Sequence, residues 1–286
     1  MNRVEIGVIG GSGFYTMGSV KEIDRVSMKT PFGDPSEDIF IGDISGRVVA
    51  FLSRHGIGHR LGPSEVNYRA NLFAMKMLGV HTLLSVTAVG SLKEELKPTH
   101  LVIPDQFVDM TYHRRKTYFE NGIVAHVSMA EPTCPVLTEM AYSAALEAGQ
   151  SAHLGGVYLN IEGPQFSTRA ESNLYRQQGF SVIGMTQAVE SKLARELEMC
   201  FLPLAFVTDY DCWHEEEAPV SVELVIENLQ KNAVRAECMI TTLVTAPPSS
   251  RRCTCRSALE HAIITSREKI PQAVRETLEP LIGRYL

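Results

Sequence analysis

Four short segments of the chain carry the hydroxyls, cation and backbone N–H groups that hold an oxyanion, and a fifth carries a carboxylate pair suited to proton transfer. Gly10-Gly11-Ser12-Gly13 is a glycine-rich turn whose N–H groups and Ser12 hydroxyl suit an anion or simply a tight turn. It is not a dinucleotide fingerprint, because the third glycine of GxGxxG would fall on Thr16, and it lacks the Gly-Lys-Ser/Thr of a Walker loop. Ser53-Arg54-His55-Gly56 brings a guanidinium fork able to grip phosphate bidentately and an imidazole able to donate one more hydrogen bond. Thr87-Ala88 and Met185-Thr186 each add a hydroxyl and backbone N–H groups. Each segment alone is an ordinary strand terminus; together they form a donor set of the type phosphate needs.

Thr208-Asp209-Tyr210-Asp211-Cys212-Trp213 places two carboxylates at i and i+2, a spacing that aims both to one side of an extended chain. Such a pair can serve as a general acid and a hydrogen-bond acceptor. A Mg²⁺ or Ca²⁺ site is the rival reading, but this region shows no fuller ligand set, so no metal is expected. Trp213 is assigned to packing. Of six cysteines, Cys134, Cys200, Cys212 and Cys238 are widely spaced and read as small buried residues. Cys253 and Cys255 form a CTC pair, a poor zinc signature with no second pair nearby; free thiols are expected, with a disulfide or redox role as the alternative.

These segments must be positioned by the elements around them. Val4–Ile9, Val48–Leu52, Thr82–Val86, Leu101–Ile103, Val157–Ile161, Ser181–Ile183 and Leu202–Val207 read as strands, several continuously apolar as in a sheet covered on both faces. Helical patterns span Glu65–Leu78, Leu137–Ala148, Arg169–Gln178, Val189–Met199 and Val222–Leu243, the first two ending at the glycines Gly79 and Gly149. The alternation predicts an α/β fold: one domain with a central mixed, largely parallel sheet flanked by helices. The donor segments then fall at the carboxyl ends of strands, where open α/β sheets bind ligands. Ala246-Pro-Pro-Ser-Ser-Arg-Arg252 is the single break, dividing a catalytic domain (1–246) from a helical extension (247–286) packed on it, with helices expected at Ala258–Arg267 and Ala273–Ile282.

Composition agrees. With 27 Lys plus Arg against 33 Asp plus Glu, the net charge of −6 excludes a polyanion-binding surface while permitting a local anion pocket. A hydrophobic content of 44% excludes a disordered chain, and no apolar run reaches membrane-spanning length. Without a signal-peptide pattern the chain is expected to be cytoplasmic, with no nucleic-acid or membrane partner.

The motifs IGVIGGSGF, TPFGDPS, SRHG, PSEVNYRAN, TAVGSL, DQFVD, MAEP, IEGPQFSTRAES, GMT, TDYDCW and VSV run collinearly from residue 4 to about 240. In these the sequence resembles the methylthioadenosine phosphorylase branch of the trimeric purine nucleoside phosphorylase family. The resemblance implies phosphorolysis of 5′-methylthioadenosine to adenine and 5-methylthioribose 1-phosphate, with phosphate as co-substrate, no cofactor, and a homotrimer or a dimer of trimers. It implies phosphate contacts from Ser12, Arg54, His55, Thr87, Ala88 and Thr186. Asp209 would donate a proton or hydrogen bond to purine N7, which needs a raised pKa, and Asp211 would accept from the 6-amino group. Met185 would pack on the ribose and Phe166 and Ser167 would border the base. Val222, Val225 and Ile226 would form an apolar 5′ pocket, His59 would lie near the 5′ side, and His126 would reach a neighbouring subunit's site.

Relatives acting on 6-oxopurines place Asn where this chain has Asp209, so 6-aminopurines are expected. Where the family commonly has a Pro-Glu pair after GMT, Val189-Glu190 stands here, a departure at the turn before the next helix, on the purine-base side of the site. The alternatives are a broader phosphorylase acting on adenosine, 5′-deoxyadenosine or inosine-type nucleosides, and a nucleoside-binding protein without turnover. Retention of Asp209, Arg54, His55 and Thr186 argues against the latter.

Overall fold

The computed structural model describes residues 4–11, 18, 20–215, 222–247 and 252–286, with backbone alone for 222–225. Eleven strands among the described residues form one mixed sheet: β1 (Ile6–Gly10), β2 (Lys21–Val26), β3 (Ile39–Ile44), β4 (Arg47–Ser53), β5 (Thr82–Ser91), β6 (Leu101–Ile103), β7 (Gln106–Asp109), β8 (Ala152–Leu154), β9 (Val157–Asn160), β10 (Val182–Gly184) and β11 (Cys200–Asp209). The main order is β2-β3-β4-β1-β5-β10-β9-β7, with β11 also pairing β5 and leading through β6 to β8. Pairs β1–β4, β1–β5, β5–β11, β9–β10, β7–β9 and β6–β8 are parallel; β2–β3, β3–β4, β5–β10 and β6–β11 are antiparallel. The sheet is mixed and largely parallel, as expected.

The continuous apolar strands divide their side chains between two cores. Ile9, Leu83 and Phe201 join the layer formed by α1 (Tyr68–Met77) and α4 (Gln187–Glu196), while their neighbours Val8, Leu84 and Leu202 join that of α2 (Pro135–Glu147) and α5 (Val222–Thr245). A strand sandwiched this way has no solvent face and hence no polar alternation. The remaining helix α3 (Arg169–Gln177) carries a capping box between Thr168 and Glu171.

Several elements escaped the sequence pattern. β2 is an exposed, charged edge strand reading KEIDRV, a composition that discourages edge pairing with other chains and also conceals the strand. The tail differs most. The helix expected at Ala258–Arg267 is absent: residues 255–257 form a single 3₁₀ turn, and the next stretch pairs with Val124–His126 through the Ala125–Ile263 bridge, Ile264 N to Val124 O and His126 N to Ala262 O. Backbone committed to that pairing is not available for helical hydrogen bonds. The last helical segment is split into α6 (Gln272–Thr277) and α7 (Glu279–Ile282), because Pro280 starts a new helix rather than continuing one. Leu259, Ala262, Ile270, Leu278, Leu281 and Ile282 all bury into the α1–α4 core, so the tail covers that face.

Candidate active site

Five strands and the loops beside them enclose a cavity of about 270 Å³. Gly11 follows β1, Arg54 and His55 follow β4, Thr87 to Gly90 lie on β5, Met185 and Thr186 follow β10, and Asp209 ends β11. His59, Pro63, Ile161, Pro164, Phe166, Ser167, Thr208 and Asp211 complete the wall. Of the residues predicted for the site, Arg54, His55, His59, Thr87, Ala88, Phe166, Ser167, Met185, Thr186, Asp209 and Asp211 converge here. Ser12 and the side chains of Val222 and Val225 lie outside the described residues. Ile226 is 49% exposed on α5 and does not line the cavity. His126 is also elsewhere, on the segment whose backbone pairs with the tail. Trp213 stays outside as well, donating through Nε1 to Ser91 O (2.7 Å) under the Arg176 guanidinium.

At the anion end, the guanidinium expected to fork onto a ligand grips Glu190 instead. Arg54 Nε donates to Glu190 Oε1 (2.5 Å) and Nη2 to Oε2 (3.0 Å), both side chains being 1% exposed. Ser85 Oγ accepts a further bond from Nη2 (2.8 Å), and Val86 O accepts from Nη1 (3.0 Å). A cation buried this completely requires a counter-charge within hydrogen-bond reach. Of its five N–H groups, one on Nη1 is left, on the side where a Cβ added to Gly11 would come within 3.2 Å of that nitrogen. Sequence reasoning missed Glu190 as a functional residue; the departure after GMT was the only signal near it.

His55 also departs from its expected role as a donor. Its Nδ1 lies 2.8 Å from Leu61 O and donates to it, leaving Nε2 as a hydrogen-bond acceptor. Burial, followed by the neighbouring Arg54 charge, pushes the imidazole down to about 3, so it is neutral at physiological pH. His59 stacks on it at 4.3 Å, and burial lowers its pKa too. His55 Nε2 therefore accepts a hydrogen bond from a proton-bearing oxygen rather than donating one to a bare oxygen.

Thr186 adds a free donor to the one N–H that Arg54 retains. It caps the N-terminus of α4, yet its hydroxyl makes no capping bond and is buried without a partner. A helix N-terminus carrying an unused hydroxyl favours negative charge. Gly184, just before, is required: a Cβ there would meet the Tyr158 hydroxyl at 1.9 Å. Arg114, unforeseen from the sequence, fixes the loop behind by donating to the Met185 and Glu162 carbonyls.

At the other end, the two aspartates are aimed by backbone irregularity rather than by strand alternation. The β5–β11 register shifts between Val207 and Asp209, and Asp211 sits at φ +54, a left-handed conformation that costs a non-glycine residue about 1 kcal/mol or more. The turn is held by Asp211 N donating to Asp209 Oδ1 (2.8 Å), while Asp209 Oδ2 accepts from Thr208 Oγ1 (2.7 Å). Gly90 leaves room for both: a Cβ there would stand 3.0 Å from Asp209 Oδ1. Burial pushes Asp209 up to about 6, the hydrogen bonds from Thr208 and Asp211 opposing it. Asp211 is raised as well, chiefly by burial, with Ser172 and Ser167 facing it too loosely for regular hydrogen bonds. Its Oδ2 and the Ser167 hydroxyl are buried without partners, two polar atoms awaiting a ligand. The cavity thus has an unpartnered hydroxyl and a free guanidinium N–H at one end and a desolvated carboxyl at the other.

Comparison with known proteins places this geometry. Residues 5–245 match the sequence profile of the phosphorylase superfamily. The chain is 51% identical over 283 residues to an S-methyl-5′-thioadenosine phosphorylase of Koribacter versatilis, covering 99% of this chain and 97% of that one. It superposes on a crystal structure of methylthioadenosine phosphorylase from an antarctic soil metagenomic library with a TM-score of 0.90 at 47% identity, covering 98% and 99% of the two chains. A Schistosoma mansoni methylthioadenosine phosphorylase in complex with adenine gives a TM-score of 0.81 at 36% identity over 84% of this chain and 91% of that one. The chain belongs to the phosphorylase superfamily and, within it, to the methylthioadenosine phosphorylase family.

Proposed function

We propose that the protein catalyses the reversible phosphorolysis of 5′-methylthioadenosine to adenine and 5-methylthio-α-D-ribose 1-phosphate. The observation that carries this reading is a single cavity with unpartnered anion donors at one end and a desolvated carboxyl at the other. Phosphate would lie against Thr87, Ala88, Thr186 and the free N–H of Arg54, with one phosphate O–H donating to His55 Nε2. Ser12, by its place in the motif, would join them. The ribose would lie on Met185 with C1′ facing the phosphate, and the base between Phe166 and the Asp209–Asp211 turn. As the glycosidic bond lengthens, C1′ gains positive charge that the adjacent phosphate stabilises before attack. The departing base gathers negative charge at N7, and a carboxyl whose pKa stands near 6 has a proton to give it. Asp211 Oδ2, lacking a partner, would accept from the 6-amino group, and a 6-carbonyl there would face it acceptor to acceptor.

In this reading phosphate is a co-substrate and no cofactor takes part. Residues 1–246 form the catalytic domain with 247–286 as its extension, an arrangement supported by the tail's burial in the α1–α4 core. The working form is a cytoplasmic homotrimer. The trimer follows from the family resemblance, in which His126 serves a neighbouring subunit's site, and no helix of the described residues is long and apolar enough to cross a membrane. Val222, Val225 and Ile226 would bound the 5′ end. The test supplies methylthioadenosine, adenosine, inosine and methylthioinosine with and without phosphate and measures free base. Adenine release from methylthioadenosine that requires phosphate is expected; release without phosphate would identify a hydrolase.

A further inference from the structure

The cysteines that look unrelated in the sequence converge far from the active site. Cys134, Cys200, Cys253 and Cys255 bring their sulfurs within 4.8 Å of one another, with Cys200 Sγ and Cys253 Sγ 3.4 Å apart. They come from three places: Cys134 caps the N-terminus of α2, Cys200 begins β11, and in the tail Cys255 opens the 3₁₀ turn with Cys253 two residues before it. Cys134 and Cys255 are almost wholly buried, Cys200 is buried, and Cys253 is partly exposed. The backbone beneath is tied, Cys134 N donating to Phe201 O at 2.9 Å. Asp209 lies nine residues further along β11, about 30 Å away at roughly 3.3 Å per strand residue, so this cluster plays no part in the cavity.

We propose that these four thiols form a structural site for one soft, tetrahedral divalent ion of the zinc type. Zn–S bonds of about 2.3 Å place the four sulfurs of a tetrahedron about 3.8 Å apart, so the spacing here needs sub-ångström adjustment only. Binding releases four protons: one Zn²⁺ and four Cys–SH give a tetrathiolate of charge −2 and four H⁺. The N-terminus of the 13-residue helix α2, which lies at Cys134, offsets part of that charge. The ion would fasten the tail to β11 and α2 immediately after the Pro- and Ser-containing break at residues 246–252 of the sequence.

The experiment uses the full chain purified without chelator and then incubated with equimolar Zn²⁺ under reducing conditions. Elemental analysis after desalting is expected to give about one zinc per chain. Replacement by Co²⁺ is expected to give the intense visible bands of a tetrahedral tetrathiolate. A chelator should lower the thermal midpoint by at least about 5 °C. In the double variant Cys253→Ser/Cys255→Ser the metal and the cobalt bands should be lost while phosphate-dependent base release persists. Thiol titration of the unfolded protein in chelator should find all six cysteines free. Substoichiometric zinc with six titratable thiols, or a thiol count reduced by disulfides, overturns the proposal from the wild-type protein alone, whatever the variant's folding.

Discussion

Asp209→Asn should abolish most turnover and yet make the protein more stable at neutral pH. The carboxyl is 5% exposed, and burial raises its pKa from an ordinary 3.8 to about 6. A carboxyl whose folded pKa exceeds its unfolded one binds its proton more tightly in the folded state. Its contribution to stability is therefore fully present below pH 3.8, is lost as pH rises through about 6, and stays lost above. A shift of about two units at about 1.4 kcal/mol each makes the loss on the order of 3 kcal/mol. Asparagine cannot ionise and escapes it. The local hydrogen bonds survive the exchange: the amide oxygen still accepts from Asp211 N, and the Thr208 hydroxyl can turn its proton to Val89 O, already 3.2 Å away, while accepting from the new NH₂. The assay is denaturant unfolding of both proteins at several pH values between 4 and 8. Taking the difference between them cancels other titrating groups, including Glu196, which burial pushes up to about 7. The variant's advantage should grow by about 3 kcal/mol across that range while its kcat on methylthioadenosine falls by about a hundredfold or more. A pH-independent difference, or near-wild-type turnover, would refute the reasoning.

Three further outcomes follow from the same geometry. Thr186→Val removes an unpartnered buried hydroxyl, so phosphate KM should rise about tenfold in steady-state kinetics while thermal stability stays level or increases. Glu190→Ala strands the buried Arg54 guanidinium without its counter-charge and should cost roughly 3–5 kcal/mol in unfolding experiments, against under about 1 kcal/mol for an exposed pair such as Lys231–Glu227. Gly184→Ala drives a methyl group against the Tyr158 hydroxyl and should lower both stability and phosphate affinity; a silent substitution would mean the wall at β10 is looser than described.

The layout of the site was legible because open α/β sheets deliver their strand ends to one edge, so Arg54, Thr186 and Asp209 could be grouped from strand boundaries; Thr87 reaches the cavity from inside β5, which runs on to Ser91. What those groups do locally was not. Arg54 promised a free fork, but its depth demanded Glu190, a residue 136 positions away on a helix whose start was placed two residues late. His55 promised a donor, but the Leu61 carbonyl reached by the following turn fixes the opposite tautomer. The aspartate pair was placed correctly, though by a bulge and a left-handed residue that no side-chain pattern encodes. In the tail, helical periodicity at residues 258–267 was overridden by backbone pairing with Val124–His126. The four-cysteine cluster is the extreme case: its members are up to 121 residues apart, and only the adjacency of α2, β11 and the tail brings them together.

Phosphorus-31 NMR of the reaction tests the central claim most directly, because it asks where the sugar goes. With methylthioadenosine and inorganic phosphate, a sugar 1-phosphate resonance should grow in step with adenine as the inorganic phosphate signal declines. Adenine accumulating beside an undiminished phosphate signal would mean that water attacks C1′, and the anion seat built around Thr186, Thr87 and Arg54 would have been misread.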